Sequence, residues 1–476
     1  MSKKYIIGVD GGSQSSKVVI FDLEGNIVCD GKQDLRPMYL PEPGVAEHPD
    51  DDLWDSVVLA SQRAMARFAG DPKDIIAVGL CTIRCCRALL KADGTLASPV
   101  MSWMDVRLAR PYEHENPEVK YVTTTSGYIN HRFTGKFIDT AANYWGQWPI
   151  DVDTWQWSED PRVFEQYKIP REMLFDLQMP GTVSGHVTPE ASALTGIPAG
   201  VPVVTTANDK AVEALGAGLL SETSGLVSLG TYIGGMVEGQ KNITDSSLFF
   251  TNMASVPNQY LYESYGIRRG MWTVSWFKNL LGDDILRKAE DLGISGEEYL
   301  DREAERVPAG SDGLMTVLDW LAPASQLYKK GVMIGFDGRH TRAHMYRSIL
   351  EAIAMTMKIH MDGLAGELGI NLDHMIISGG GSNSKLFMQI FADVFGVPAS
   401  RNVVNGAAGV GAAICAAVAV GVYPDFRTAV EKMVKIRDTF KPNAENVELY
   451  SRATVVFQNI TKYTDEILKE TYKIFG

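Results

Sequence analysis

The sequence predicts an α/β protein whose two related halves face each other across a cleft. Three observations lead there. The chain has 476 residues, beyond the length at which one hydrophobic core keeps growing, so two domains are expected. Near its start, YIIGVDGGSQSSKVVIFDLEGNIVCDG (5–31) sets two short apolar runs on either side of a small polar turn. About 220 residues later GLVSLGTYIGGMVEG (225–239) shows the same strand, turn and strand, an internal repeat that signals duplicated units. Gly216, Gly218 and the polar SETSG punctuate the chain near 218–224, which divides it into 1–218 and 219–476.

The opening repeat reads as a β-hairpin, with Tyr5 to Val9 and Val18 to Phe21 as its strands. Glycines in its turn let backbone approach a ligand without a Cβ in the way. Successive N–H groups and hydroxyls there form an anion cradle. Asp10, beside the cradle, suits a hydrated Mg²⁺, which favours carboxylate, water and phosphate oxygens. An ordinary turn is the competing reading, since Gly and Asp are common turn residues.

EHPDDD (47–52) then caps a helix carrying Leu53, Trp54, Val57 and Val58. Asp74 to Leu80 is a buried strand, KADGTL (91–96) a turn, and a further strand precedes Ser102. From 108 to 175 the pattern is irregular and dense in aromatics, among them Tyr128, Tyr144, Trp145 and Trp148, which burial explains better than a ligand groove. Residues 180–218 give a helix, a Gly/Pro turn, a buried strand at Val201 to Thr205, and then Asp209. A strand end opening into a helix is where open α/β sheets place their chemistry, so Asp209 is a candidate general base. Its competing role is to cap the helix it precedes.

The second half continues with a helix from Met271 to Leu281, an acidic helical stretch over 283–306 and a turn at 329–344. A long amphipathic helix follows from Ala343 to Leu368, its apolar residues recurring at helical spacing. His340 and His344 stand four apart without the intervening Glu of a zinc-protease motif, which disfavours a metal role. HMIISGGGSNSKLFMQIFADVFGVP (374–398) is a strand, a triple glycine and a helix, an arrangement suited to close approach of a nucleotide. After Pro442 the tail reads as amphipathic helix.

Composition narrows the function. Apolar residues make up 45% and charged residues 22%, as in globular proteins. A net charge of −13 without a basic block makes nucleic acid and anionic membrane poor partners. Five cysteines, odd in number and without metal-ligand spacing, point to a reducing compartment, the cytoplasm, and MSKKYIIGVD does not read as a signal peptide. The Gly/Ala-rich stretch at 406–423 reads as a closely packed buried helix rather than a membrane span. A P-loop, a protein-kinase signature and a Rossmann fingerprint are absent from the sequence.

What remains is an ordered set: GVDGGSQSSKVVIFD, TANDKAVEALGAG, SLGTYIGG and GGGSNSKLFMQIFADVFGVP, with DLW at 52–54 and FTG at 133–135. Together these resemble the FGGY family of carbohydrate kinases, over essentially the whole chain. The resemblance implies two ribonuclease-H-like domains of the actin-like ATPase fold closing on ATP and a sugar. It implies that Asp10 organises Mg²⁺, that Gly12, Ser13 and Ser15 form the first phosphate turn, and that Gly230 and Thr231 make the second phosphate contact. Gly380 and Gly381 correspond to the adenosine contact, with Asn383 or Ser384 as its polar member. Asp209 matches the general base, and Arg84 and Trp103 fall where relatives contact sugar or polyol.

The implied reaction transfers the γ-phosphate of MgATP to a hydroxyl of a small sugar or polyol. A pentulose is the favoured acceptor, with glycerol, gluconate and other polyols or sugar acids as alternatives. Departures from the family pattern bear on that choice. Ile83-Arg84-Cys85 lacks the carboxylate or His that relatives carry there, and the segment from Arg107 to Thr134 is short. The loop at 319–325 reads DWLAPAS where relatives carry Pro-x-x-Gly-Glu-Arg. Lys210 stands where relatives often have Asn or Gln, and is read as an exposed helix lysine. An actin-like ATPase and a non-catalytic sugar sensor are the competing classes, and a homodimer is the default assembly.

Overall fold

The computed structural model describes residues 3–323 and 325–475, so Met1 and Ser2 of the leading segment and Ala324 of the 319–325 loop lie outside the described residues. The first half contributes β1 (Tyr5–Gly11), β2 (Ser15–Asp22), β3 (Ile27–Asp34), α1 (Asp52–Arg67), β4 (Ile75–Thr82), α2 (Thr125–Thr134), β5 (Thr182–His186), β6 (Pro202–Thr205) and α3 (Asp209–Ala217). The second contributes β7 (Ser224–Leu229), β8 (Ile233–Gly239), β9 (Phe249–Met253), β10 (Tyr260–Ser264), α4 (Gly270–Leu280), α5 (Arg342–Leu368), β11 (His374–Ser378), α6 (Lys385–Phe395), β12 (Ala399–Asn402), α7 (Ala407–Ala419), β13 (Ile436–Phe440) and α8 (Ala444–Phe475).

Two mixed sheets organise these elements, and their topologies match. The first runs β5-β6-β4-β1-β2-β3 and the second β9-β10-β8-β7-β11-β12-β13. In each, a hairpin opens the sheet (β1/β2, β7/β8), and a parallel strand joins the far side of its first member (β4, β11). A second parallel strand (β6, β12) and an antiparallel edge strand (β5, β13) complete that flank. The duplication read from the two hairpins thus extends to the parallel strands beside them, while the edge strands enter in opposite chain order and the second sheet has one strand more.

Alternation along β1 and β2 buries Ile7, Val9, Val18 and Ile20 against Leu53, Trp54 and Val57 of α1. The opposite face of the same sheet is covered by α7, from the second half of the chain, where Ile6, Phe21, Ala77 and Val204 meet Val410, Ala413 and Ile414. Helix and sheet touch backbone to backbone. A Cβ on Gly79 of β4 would lie 1.9 Å from the Ala412 oxygen, and one on Gly216 of α3 would lie 1.9 Å from the Ala407 oxygen. The small residues at 406–423 therefore serve close packing, and no described helix is long and apolar enough to cross a membrane.

Two local expectations need correction. The 108–175 segment is not irregular throughout: α2 runs through it, capped by Thr124 accepting from the Gly127 N–H and closed by Gly135 at φ 68°. Its Ser, Thr and Asn content hides a helical period that the caps alone would have revealed. The acidic run before α1 does not cap by side chain either. Asp51, in the cap position, instead accepts from the Tyr128 hydroxyl and the Arg132 guanidinium of α2.

Candidate active site

Three parallel strands of the first sheet end side by side: β1 at Asp10 and Gly11, β4 at Cys81 and Thr82, and β6 at Thr205. Each leads directly into a residue expected at the site. The turn after β1 carries Gly12 and Ser13, with Ser15 opening β2. It is closed by the Gly12 N–H donating to the Ser15 carbonyl (3.1 Å). A Cβ on Gly12 would lie 3.9 Å from Oδ1 of Asp10, so carboxylate and cradle are adjacent. Ser13 is exposed and Ser15 half-buried, whereas Ser16 is buried and bonded to Ser56 (2.8 Å).

At the end of β6 the competing capping role falls to a different residue. Asn208 caps α3, its Oδ1 accepting from the N–H groups of Lys210 and Ala211 (both 3.2 Å). Asp209 is thereby left as the first residue of the helix, its side chain 31% exposed and its Oδ1 3.8 Å from Nε of Arg84. Arg84 is fixed from the other half of the chain. Its guanidinium pairs with both oxygens of Glu263 on β10 (2.8 Å each), and Asn252 Nδ2 donates to the same carboxylate (3.1 Å).

A second set of bonds crosses between the halves one turn along α3. Lys210 Nζ donates to Glu213 (2.8 Å) and to Ser228 Oγ at the end of β7 (3.0 Å). Ser378 Oγ, paired with Ser228 at the end of β11, donates to Glu213 (2.5 Å). Lys210 is therefore not the exposed helix lysine expected; the neighbouring carboxylate and hydroxyl draw it inward.

Burial raises the Asp209 pKa, with Arg84 and Lys210 pulling against it. Burial likewise pushes Asp10 up to about 6, eased by Lys17 and reinforced by Asp209 and Glu213. Burial opposes both members of the Lys210–Glu213 pair. Even so, Glu213 and Asp209 hold the ammonium above its ordinary value, and Lys210 with Ser378 holds Glu213 below its own. Asp10, Asp209 and Glu213 thus share one neighbourhood with Lys17, Arg84 and Lys210. Among the described residues no cluster of three His, Cys, Asp or Glu side chains could by itself hold a metal ion.

Opposite lie the glycine turns of the second sheet. Gly230 and Thr231 join β7 to β8, their carbonyls accepting from the Met271 and Gly270 N–H groups at the start of α4 (3.1 and 2.7 Å). After β11, Gly379 takes φ 84° against the Leu229 carbonyl, and Gly380 faces open space. Gly381 is buried, where a Cβ would press on Leu229 and Met271, so the open approach is at Gly380. Asn383 is exposed and accepts from Asn405 (2.7 Å), while the Ser384 hydroxyl caps α6. Trp103, 53% exposed, lines a cavity of about 170 Å³ with Cys85, Arg87, Trp145 and Trp148. His344 is taken up in capping α5, its Nδ1 accepting from the Thr341 N–H (3.1 Å).

Residue reasoning missed Glu263, Glu213, Ser228 and Ser378. Glu213 had a signal, four residues from Asp209 and so on the same helix face. Glu263 had none, since a Glu in YLYES is unremarkable until β10 is seen beside the end of β4.

Comparison with known proteins agrees with this geometry. The N-terminal domain profile of the FGGY family of carbohydrate kinases matches residues 5–120 and 108–216, and the C-terminal domain profile matches 225–420. An Escherichia coli K12 protein described as the uncharacterized sugar kinase YgcE is 54% identical over 475 residues, covering 100% of this chain and 96% of that protein. Autoinducer-2 kinase of the same strain is 26% identical over 516 residues, covering 98% and 95%. The crystal structure of xylulose kinase from Rhodospirillum rubrum superposes with a TM-score of 0.83 at 22% identity, covering 98% of this chain and 100% of that one. The fold is accordingly the two-domain actin-like ATPase fold.

Proposed function

The chain belongs to the FGGY family of carbohydrate kinases and is a sugar kinase, and from that premise we propose that it transfers the γ-phosphate of MgATP to a hydroxyl of an open-chain sugar of pentulose length. Asp209 is the general base, Arg84 and Trp103 contact the acceptor, and Asp10 would hold the metal. Gly12, Ser13, Ser15, Gly230 and Thr231 receive the phosphates, and Gly380, Gly381 and Asn383 the adenosine. Residues 1–218 then supply the acceptor side and the first phosphate turn, and 219–476 the ATP and adenosine side. Five free cysteines accord with work in a reducing compartment, the cytoplasm.

One observation carries the proposal: Asn208 holds the cap position of α3, so Asp209, although its Oδ1 also accepts from the Lys210 N–H (3.0 Å), stands beside Arg84 at the mouth of three strand ends. Phosphoryl transfer is achieved mostly by positioning and charge stabilisation, with the nucleophile in line with the phosphorus. Bound with ATP, magnesium neutralises charge on the phosphoryl oxygens. Asp209 accepts the proton of the attacking hydroxyl, a contribution worth about 10²–10⁴ in rate. Arg84, immobilised by Glu263, keeps the base oriented, and closure of the halves excludes water from the reaction.

The test is Asp209→Asn assayed by ADP release over a panel of ketoses, polyols and sugar acids. Acceptor-dependent transfer should vanish while ATP binding persists, and near-normal turnover rejects the assignment. In the unaltered protein, hydrolysis without acceptor would instead indicate an ATPase, and binding without turnover a sensor.

A further inference from the structure

The cavity beside Trp103 contains a buried cation with no bonded partner among the described residues. Arg87 is 4% exposed, and its Nε has no hydrogen-bond partner. Its backbone is held on both sides by Met101 (3.1 and 3.0 Å), but its guanidinium forms no ion pair or hydrogen bond among the described residues. It lies over the Trp148 ring, 5.4 Å from guanidinium carbon to centroid. Asp105 lines the same cavity but is committed elsewhere, to Arg107 (2.9 and 2.7 Å) and the Ala46 N–H (3.0 Å). Burial draws the Arg87 pKa down to about 10, with Tyr112 and Asp105 pulling the other way, so the side chain is still a cation at neutral pH. A buried charge without a bonded partner is costly to a fold, and a ligand of opposite sign lowers that cost.

The cavity adjoins the reaction centre through the chain itself: Cys85, which lines it, directly follows Arg84, whose Nε is 3.8 Å from Asp209. Arg84 itself is engaged by both oxygens of Glu263, which leaves Arg87 as the unsatisfied cation on the acceptor side.

We propose that Arg87 is the residue that selects the acceptor, binding the carboxylate of an open-chain sugar acid whose far hydroxyl lies beside Asp209. This rests on the kinase reading of the site. One guanidinium matches one carboxylate in charge and in its planar, two-pronged geometry. A phosphate monoester would bring nearly two negative charges into a cavity that also holds the Asp105 carboxylate. The faces of Trp103, Trp145 and Trp148 suit the C–H edges of the carbon chain.

The experiment compares acceptors of equal carbon number, in both enantiomers of each chiral compound: xylonate with xylulose and the meso polyol xylitol, gluconate with sorbitol, and ribulose 5-phosphate as the phosphate arm. ADP release and ligand-induced melting shifts are read for the full chain, Arg87→Met and Arg87→Lys. The acids should exceed their neutral counterparts at least tenfold in kcat/KM. Arg87→Met should bring that ratio near one through KM with kcat little changed, and Arg87→Lys should keep part of it. Without ligand, Arg87→Met should melt no lower than the parent. A lower melting temperature restored by Arg87→Lys would make Arg87 a structural residue and overturn the proposal. So would preference for the neutral or phosphorylated compounds, a ratio unmoved by Arg87→Met, or acids that neither react nor shift melting. Acids that raise the melting temperature in an Arg87-dependent way, with no acceptor releasing ADP, would uphold the anion site and reject the kinase assignment.

Discussion

Arg84 and Glu263 lie on different halves of the chain and are joined by two 2.8 Å hydrogen bonds, so the cation nearest Asp209 is anchored by the opposite half. The carboxylate is 1% exposed and the guanidinium 19%. Burial opposes the Arg84 charge, yet Glu263 and Asp209 hold it above its ordinary value.

Glu263→Gln removes that anchor and leaves Arg84 facing Asp209 alone. Breaking a buried pair from one side should lower stability by about 3 kcal/mol in urea unfolding. Acceptor-dependent ADP release should fall at least tenfold, because Arg84 is then free to turn onto the base. Unchanged turnover would separate the ion pair from catalysis.

Asp10 gives a pH signature. Its folded pKa of about 6 lies above the ordinary 3.8, so the folded protein binds this proton more tightly than the unfolded chain. As pH rises from about 4 to about 6 the ionising side chain costs stability, about 3 kcal/mol at the upper end. Asp10→Asn should therefore raise the melting temperature at pH 8, leave it nearly unchanged at pH 3, and abolish transfer. Melting scans at the two pH values with an activity assay check all three.

Ser228→Ala and Ser378→Ala each delete one hydroxyl that bonds across to α3. Hydrogen bonds to charged groups are worth about 1.5–3 kcal/mol, and each variant should lose an amount in that range. The double variant should lose less than the sum, since Lys210 and Glu213 share one network. A strictly additive result in denaturant melts would show the two bonds to be independent.

Gly79→Ala places a methyl group 1.9 Å from the Ala412 oxygen, pushing α7 off the sheet. A loss of about 3 kcal/mol is expected from overpacking. Gly366→Ala in α5, where an added Cβ meets nothing within 4 Å, should instead gain up to about 1 kcal/mol. The pair of melting temperatures distinguishes collision from mere helix propensity.

Much of the architecture was legible because it is local. Apolar alternation and Gly-bearing turns disclosed both hairpins, and the strand-to-helix junction singled out Asp209. Contacts between segments distant in sequence were not legible. Nothing in YLYES announces Glu263 as the partner of Arg84, and Lys210 reads as surface until Ser228 is brought to it. The same limit applied to Asn208, since either member of the Asn208-Asp209 pair suits a cap, and only the backbone geometry decides between them.

The place of α7 has a consequence for synthesis. Ile6, Phe21, Ala77 and Val204 are all made long before Val410 and Ile414, the side chains that cover them. While the ribosome is still translating, one face of the earliest sheet must wait bare for some two hundred further residues to emerge, a span in which chaperones can reach it. A fragment ending before that helix is released with the same greasy face uncovered, and should precipitate rather than persist as a stable half-molecule.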